Sequence, residues 1–184
     1  VDVIGINDVR KAVTSGSHSC ALTNSGSVLC WGANYYGQLG DGTTTGHLQP
    51  AAVSGLNSGV IDIAVNYYHS CALLSSGTVQ CWGYNGSGQV GDNSTLNRLT
   101  PVAVYGLSGV QAISLGSSHS CALLTNGVVN CWGYNGDGQL GNGSKTNSRI
   151  PVTSIGLDVG VSAISAGTYH TCAVLTTGAL SCWG

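Results

Sequence analysis

The amino-acid sequence predicts an all-β protein built from repeated four-stranded sheets, and three observations lead to this. The phrase HSCALTNSGSVLCWG, at residues 18–32, returns in closely similar form from residues 69, 119 and 170, so the chain has a period of about 50 residues. Each unit offers four short apolar segments bounded by Gly or Pro, which is typical of strands. The 29 glycines, with many Ser, Thr and Asn, favour turns over helices. A four-stranded sheet repeated at this period is typical of a β-propeller blade.

The period divides the chain, which we treat as one domain over residues 1–184, into about four repeats. Their approximate bounds are 1–50, 51–101, 102–151 and a shorter unit at 152–184. A complete unit reads as PVAVYGL (101–107), then VQAISLG (110–116), then the phrase with two cysteines, then a polar connector such as YNGSGQVGDNSTLNRLT (84–100). The first unit begins with VDVIGI, without the Pro. Four units predict a partial ring, or a ring that is completed by assembly.

The phrase with two cysteines predicts a β-hairpin. Asn24-Ser25-Gly26 lies between its strands, and Gly is the third turn residue in every unit, which fits a type I turn followed by a left-handed residue. Counting outward from Thr23 and Ser27 places Cys20 opposite Cys30 at a non-hydrogen-bonded pair. Cα atoms at such a pair lie about 4.5 Å apart, within the range of a disulfide.

The same count in each unit predicts four disulfides within repeats: Cys20–Cys30, Cys71–Cys81, Cys121–Cys131 and Cys172–Cys182. Free thiols and a metal site made from His-x-Cys are the alternatives, although the CxxC spacing typical of zinc sites is missing. Disulfides form in oxidising compartments, so they predict an extracellular or cell-surface protein. Three N-x-[ST] sequences, at Asn85, Asn93 and Asn142, are compatible with a secreted surface.

One histidine and one tryptophan recur in each hairpin. The histidines stand two residues before the first cysteine, and we expect each to donate or accept a hydrogen bond to a loop backbone; a catalytic or metal-binding role is the alternative. The tryptophans point to the opposite face, where we expect them to pack between blades. The two sets are His18, His69, His119 and His170, and Trp31, Trp82, Trp132 and Trp183.

Composition argues against several classes of function. Charged residues make up 7% of the chain, the net charge is −2, and the five Lys and Arg are scattered, so the basic stripe that binds nucleic acid is missing. No apolar run is long enough to span a membrane. Without Glu, and without a Ser-His-Asp set, a metal-ligand cluster or a phosphate-binding loop, the sequence predicts no enzyme, no cofactor and no metal site.

Tyrosines supply the candidate binding residues. They lie among Gly, Ser and Asn in the connecting segments, a composition typical of binding surfaces because Tyr gives a large contact area at a small entropy cost. The alternative is that some of them only pack their loops, Tyr84 and Tyr134 above all. The candidates are Tyr35, Tyr36, Tyr67, Tyr68, Tyr84, Tyr134 and Tyr169.

The segment GSSHSCALLTNGVVNCWGYNGDGQLGNG (116–143) resembles the repeat of the regulator-of-chromosome-condensation family, G-x-x-H-[ST]-x-A-L followed by W-G-x-N-x-x-G-Q-L-G. The resemblance extends over residues 1–184, and the paired cysteines resemble the secreted bacterial members. It implies a propeller of about seven blades that serves as a rigid interaction platform. One nuclear type of member is a nucleotide exchange factor that binds a small GTPase and chromatin, and one secreted type inhibits β-lactamases. This chain departs from the pattern by holding about four repeats.

The sequence therefore predicts a non-catalytic, secreted or cell-surface module for protein–protein contact or structure, able to associate with itself through open blade ends. A secreted inhibitor of another protein is the alternative. A guanine-nucleotide exchange factor is a remote one, because nuclear thiols stay reduced. The apolar residues of the terminal hairpins, Leu22, Trp31, Val174 and Trp183, predict that the chain is not a free arc. We expect further repeats, a second copy that closes the ring, or copies joined end to end.

Overall fold

The structure, a computed structural model, describes Val3, residues 5–157 and residues 160–184. The described residues form fifteen β-strands and no helix. The strands are β1 (Val9–Thr14), β2 (His18–Thr23), β3 (Val28–Gly32), β4 (His47–Ala52), β5 (Val60–Asn66), β6 (His69–Leu74), β7 (Val79–Gly83), β8 (Arg98–Ala103), β9 (Val110–Leu115), β10 (His119–Leu124), β11 (Val129–Gly133), β12 (Ser148–Thr153), β13 (Val161–Ala166), β14 (Thr171–Leu175) and β15 (Leu180–Trp183).

The strands form four antiparallel sheets, which confirms the predicted propeller blades. Blade 1 has the order β1-β2-β3-β4, blade 2 β5-β6-β7-β8 and blade 3 β9-β10-β11-β12, while the described part of blade 4 has three strands, β13-β14-β15. The fourth strand of each full blade contains the Pro that begins the next sequence unit. Each sheet therefore crosses a unit boundary, because the long connector folds back and brings this strand beside the second cysteine strand. Half of VDVIGI, at Val1, Asp2 and Ile4, lies outside the described residues.

The hairpin in each blade has the register that the position of Gly predicts. Cys20 faces Cys30, Ala21 faces Leu29 and Leu22 faces Val28 in blade 1, and the other blades repeat this pairing. Gly26 has a φ of 81°, the left-handed conformation that the three-residue turn requires. Four disulfides join the facing cysteines, with 4.1 Å between the Cα atoms of each pair.

The hydrophobic core lies between blades. One cluster joins Leu22, Val28 and Leu39 of blade 1 to Ile63 and Trp82 of blade 2. Two further clusters repeat this arrangement between blades 2 and 3 and between blades 3 and 4. Trp82 and Trp132 are fully buried, as expected for packing between blades. Stability therefore comes from contacts between neighbouring blades, as in other repeat proteins.

The two terminal blades each present a side without a described neighbour. Trp31 of blade 1 is half-buried, and Leu48 on the outer strand β4 is fully exposed. On blade 4, Val174 and Leu180 are 38% and 67% exposed. Leu22, by contrast, is buried against blade 2, so only part of the expected apolar end surface is open.

Antiparallel pairing gives the blades two distinct edges, the connector edge and the hairpin edge. The connector edge holds the turns between the first and second strands and the connectors between the third and fourth strands. The hairpin edge holds the cysteine hairpin turns and the links between blades. The strands of neighbouring blades run in the same sense, so the connector edges of all blades form one continuous surface.

Candidate interaction surface

All seven predicted tyrosines lie on the connector edge. Tyr35 and Tyr169 are 79% and 58% exposed, Tyr67 and Tyr68 are also exposed, and the other three are half-buried. The eighth tyrosine, Tyr105, is exposed on the hairpin edge and was not among the candidates. The connector edge is thus much richer in tyrosine than the opposite edge.

Four of these tyrosines meet where blade 1 joins blade 2, and we call Tyr36, Tyr67, Tyr68 and Tyr84 the tyrosine cluster. The ring of Tyr36 lies 5.2 Å from that of Tyr68 and 5.0 Å from that of Tyr84, measured between centroids. Tyr68 lies 6.0 Å from Tyr67 and 6.4 Å from Tyr84. Tilted and edge-on arrangements at these distances are favourable, so the rings stabilise one another as a single surface.

The segments that carry the rings of the tyrosine cluster contain no charged residues. They are the segments 33–37, 66–68 and 84–88, in which Asp, Glu, Lys, Arg and His are all missing. A methyl group built on Gly16, in the neighbouring turn of blade 1, would lie 2.9 Å from the ring of Tyr67. The hydroxyl of Ser17 donates a hydrogen bond to the backbone oxygen of Tyr67, which ties the two turns together. The cluster is therefore held by both blades.

Two of the candidate tyrosines also pack onto their own loops. The ring of Tyr84 lies over Gly86 and that of Tyr134 lies over Gly136, at positions where any Cβ would meet the ring. Blade 1 has Ala33 in place of these tyrosines and Tyr35 in place of the glycines. Because no ring crosses the connector of blade 1, that connector has room for the exposed side chain of Tyr35.

The other junctions lack the cluster. The positions of Tyr36, Tyr68 and Tyr84 are taken by Ser87, Ser118 and Tyr134 between blades 2 and 3. Between blades 3 and 4, Asp137 takes the place of Tyr36, while Tyr169 takes the place of Tyr68. One backbone hydrogen bond recurs at the first two junctions, since Tyr68 O accepts from Tyr84 N and Ser118 O accepts from Tyr134 N. The side chains at the matching positions distinguish the first junction from the second.

A buried asparagine organises each connector, which the sequence patterns did not reveal. The amide nitrogen of Asn85 donates to the backbone oxygens of Ser94 and Leu96 and to Asp92 Oδ1, at 3.0–3.2 Å, and its oxygen accepts from Val90 N at 2.9 Å. Asn34 and Asn135 repeat this pattern. Asn85 is completely buried, so its N-x-[ST] sequence does not mark an accessible glycosylation site.

Carboxylates in two connectors form close polar contacts near these asparagines. Asp41 Oδ2 lies 2.6 Å from His47 Nε2, and Asp92 Oδ2 lies 2.5 Å from the Arg98 guanidinium. Burial raises the pKa of the Asp41 carboxyl, but hydrogen bonds from His47, Thr43 and Asn34 outweigh it, so the net pKa lies below its ordinary value. These carboxylates stabilise the connectors by accepting hydrogen bonds from several residues of the same loop.

The repeated histidines connect neighbouring blades through hydroxyl groups, a contact that the sequence analysis did not predict. Nε2 of His18, His69 and His119 lies 2.8–3.0 Å from the hydroxyl of Ser70, Ser120 and Thr171 respectively, each in the next blade. Each hydroxyl in turn donates to the backbone oxygen of Gln38, Gln89 or Gln139 at 2.9–3.0 Å. The H-[ST] and G-Q pairs that recur along the sequence are the signal that could have indicated this contact.

Burial keeps these histidines neutral. Loss of hydration lowers the pKa of His18 to about 4, of His69 to about 3 and of His119 to about 4. The backbone oxygen that accepts from the hydroxyl group also accepts from the tryptophan of the next blade. In the first interface, Trp82 Nε1 donates to Gln38 O at 2.9 Å. These neutral, buried imidazoles connect neighbouring blades through Nε2.

No group of three or more His, Cys, Asp or Glu that could hold a metal ion occurs among the described residues. The described residues also contain no helix long and apolar enough to cross a membrane.

Comparison with known proteins assigns the family. Two profiles of the regulator of chromosome condensation (RCC1) repeat match the chain, one at residues 9–38, 60–89 and 110–139 and the other at residues 25–73, 76–123 and 126–174. The fold and the repeated blade interface define a β-propeller of four-stranded blades. The chain belongs to the RCC1 repeat family.

The chain spans less than half the length of the similar proteins. The human protein named probable E3 ubiquitin-protein ligase HERC4 is 40% identical over 91 residues, which is 48% of this chain and 9% of that protein. The solved structure of human WBSCR16 superposes with a TM-score of 0.84 at 26% identity, covering 96% of this chain and 47% of that one. Yeast RCC1 (Prp20), solved bound to Kap60, gives 0.82 at 23%, covering 96% and 43%. The similarity to HERC4 concerns the repeats alone.

Proposed function

We propose that this chain is a non-catalytic protein-interaction module that works outside the cytosol, with the tyrosine cluster as its partner-binding surface. We further propose that residues 1–184 act as one domain. One observation is the main support for this proposal. The rings of four tyrosines from uncharged segments lie together on one edge of the blades: Tyr36, Tyr67, Tyr68 and Tyr84.

Physical chemistry supports a binding role for such a surface. Tyrosine buries a large area while losing few rotatable bonds, and its hydroxyl group finds hydrogen bonds at the rim of a contact. Binding energy concentrates in rigid aromatic anchors. Here the rings are held by two blades that share a buried core, and each blade carries a disulfide. Little conformational freedom would be lost when a partner binds, which favours affinity.

The disulfides support a location in an oxidising compartment, because cytosolic and nuclear thiols are kept reduced. The charge distribution supports a protein partner over nucleic acid. Of the five Lys and Arg in the chain, Lys11 pairs with Asp62 and Arg98 pairs with Asp92. That leaves few cations to neutralise phosphates. Yeast RCC1 was solved bound to a protein, Kap60, which fits the use of this fold as a platform.

A capture experiment tests the proposal. The immobilised chain, a Tyr36→Ala/Tyr68→Ala variant and a control Ser87→Ala/Tyr134→Ala variant are each incubated with the extracellular fraction of the source organism. We expect a protein that binds the wild type and the control and is lost from the cluster variant. Equal binding by all three forms would overturn the proposal.

Self-association through the terminal blades is a second candidate function, and the outer strands favour it. Gly42 N donates to Leu99 O at 2.9 Å and Asn93 N donates to Arg149 O at 3.0 Å, so the connector of one blade packs on the outer strand of the next. The equivalent residue of blade 1, Leu48, is fully exposed. At the other terminal blade, Leu180 is 67% exposed. Leu48 thus lies where a connector packs on the other full blades, and Leu180 takes the position of Val129, which is buried between blades 3 and 4.

Sedimentation velocity tests self-association. We expect the 184-residue chain to form dimers or larger species at micromolar concentration, and a Leu180→Asp variant to shift toward the monomer. Leu96→Asp, which changes an exposed connector residue, is the control and should leave the distribution unchanged. A wild-type monomer at these concentrations would contradict this candidate and leave the role of the tyrosine cluster unaffected.

A further inference from the structure

The shape of the tyrosine cluster narrows the chemistry of its partner. The ring of Tyr36 is inclined by 72° to that of Tyr68 and by 59° to that of Tyr84. The ring of Tyr68 is inclined by 46° to that of Tyr67 and by 76° to that of Tyr84. Rings at these angles present faces and edges in turn and do not form a flat plate. The surface is therefore ridged on the scale of one aromatic ring.

The same tyrosines offer hydrogen-bond donors to a partner. Their hydrogen bonds with other described residues use backbone atoms: Tyr36 N donates to Gln38 Oε1, and Tyr84 N donates to Tyr68 O. Their hydroxyl groups are not among the buried polar atoms that have no partner. Each hydroxyl carries one proton that it can donate to an acceptor. The tyrosine cluster thus combines apolar ring faces with solvated hydroxyl donors.

The composition and position of the cluster exclude two common ways of recognising a peptide. The segments 33–37, 66–68 and 84–88 contain no charged residue. Phosphorylated and acidic motifs are bound by clusters of arginine, so they do not match this surface. The rings also lie on turns and connectors and not along a strand, so a partner cannot extend a sheet at this place.

We propose that the tyrosine cluster binds a proline-rich segment of the partner in the polyproline II conformation, an inference that rests on the proposed interaction surface. Such a segment has no internal hydrogen bonds, so its backbone oxygens are free to accept from the tyrosine hydroxyls. Its proline rings are apolar and pack against aromatic side chains, as in other domains that bind such segments. The segment is ordered before it binds, so little conformational entropy is lost.

The dimensions of the tyrosine cluster match about one turn of such a segment. The ring centroid of Tyr68 lies 6.0 Å from that of Tyr67 and 6.4 Å from that of Tyr84. Polyproline II rises about 3.1 Å per residue with about three residues per turn, so these two steps together span at most about four residues. Tyr35, which is 79% exposed, adds a further ring beside Tyr36 in the same connector.

Titration of the ¹⁵N-labelled chain with an acetylated and amidated decaproline peptide tests the proposal. We expect chemical-shift changes confined to residues around the tyrosine cluster, and none with a Gly/Ser peptide of the same length. Tyr68→Ala should raise the Kd for decaproline at least about fivefold, and Tyr105→Ala, which removes an exposed tyrosine from the hairpin edge, should change it less than about twofold. Tyr68→Phe, which keeps the ring and loses the hydroxyl, should give an intermediate Kd.

The outcomes separate this proposal from the proposed function. No shift changes at several millimolar decaproline, or an equal Kd in the two alanine variants, would overturn it. Shift changes at the cluster caused by cellohexaose and not by decaproline would overturn it in favour of a glycan. Decaproline should also displace the partner captured by the immobilised chain. If that partner requires Tyr36 and Tyr68 but decaproline does not displace it, this proposal fails and the interaction surface stands. If no captured protein depends on these tyrosines, the proposed function itself fails.

Discussion

Replacement of Trp82 by Ala tests the claim that the blades are held together by tryptophans packed between them. The side chain of Trp82 is 1% exposed and belongs to the core cluster shared by blades 1 and 2. Its indole N–H donates to Gln38 O at 2.9 Å. Truncation of a fully buried aromatic residue costs about 3–5 kcal/mol of unfolding free energy, which includes the cavity that is left. Ser70 Oγ still donates to Gln38 O, so no unsatisfied carbonyl adds to the loss.

Trp31 is the matched control because it holds the same position in blade 1. It is half-buried, it lies in none of the three core clusters, and no hydrogen bond from its indole nitrogen occurs among the described residues. We expect Trp31→Ala to cost about 1 kcal/mol, typical of a partly exposed site. At about 2–4 °C per kcal/mol for a chain of this size, Trp82→Ala should lower Tm by roughly 6–20 °C.

Urea unfolding followed by circular dichroism under oxidising conditions measures both variants without relying on tryptophan fluorescence. The reasoning requires a markedly larger loss for Trp82→Ala than for Trp31→Ala. Similar losses in the two variants would refute it, because they would mean that the hairpin alone, and not the contact between blades, determines the effect.

Three further predictions concern pH, disulfides and one connector. Burial holds the pKa of His18, His69 and His119 at about 4, 3 and 4, below the value of 6.5 in the unfolded chain, so the unfolded state binds more protons between these limits. The contribution of these histidines to the free energy of unfolding is then fully present above about pH 6.5. At lower pH it decreases by up to about 1.4 kcal/mol per pH unit for each histidine. A urea midpoint that stays constant from pH 7 to 4.5 would contradict this. Reduction of unfolded protein should add the mass of eight hydrogens, and each lost disulfide should cost about 2.5–3 kcal/mol by the chain-entropy relation; unchanged mass would exclude the four disulfides. Gly86→Ala should displace the ring of Tyr84 and lower Tm, and Tyr84→Ala should remove most of that loss in the double variant, as thermal unfolding will show; additive losses would be evidence against the contact.

The hairpins could be predicted residue by residue because their information is local. The position of Gly26 sets the turn, the turn sets the register, and the register places Cys20 opposite Cys30. All of this lies within about ten residues and is repeated four times. A period of about 50 residues then identified the blade, since few architectures repeat four strands at that spacing.

The contacts between blades could not be predicted from the same patterns. His18 meets Ser70 and Gln38 only after two blades pack, and the sequence does not say which elements become neighbours across 52 residues. The tyrosine cluster has the same origin: Tyr36 and Tyr84 are far apart in the chain and meet through packing. The grouping of strands also differed from the sequence units, because pairing across the connector decided which sheet the Pro-containing strand joined.

The affinity of the captured partner for two single variants tests the central claim most directly. Tyr68 belongs to the tyrosine cluster, and Tyr134 occupies the position of Tyr84 at the next junction, where Ser87 and Ser118 replace the other rings. Surface plasmon resonance should show that Tyr68→Ala raises Kd at least about tenfold, the effect expected of a residue that anchors an interface, while Tyr134→Ala changes Kd less than about twofold. Equal weakening by both variants, or an unchanged Kd for Tyr68→Ala, would contradict the assignment of the partner to the tyrosine cluster.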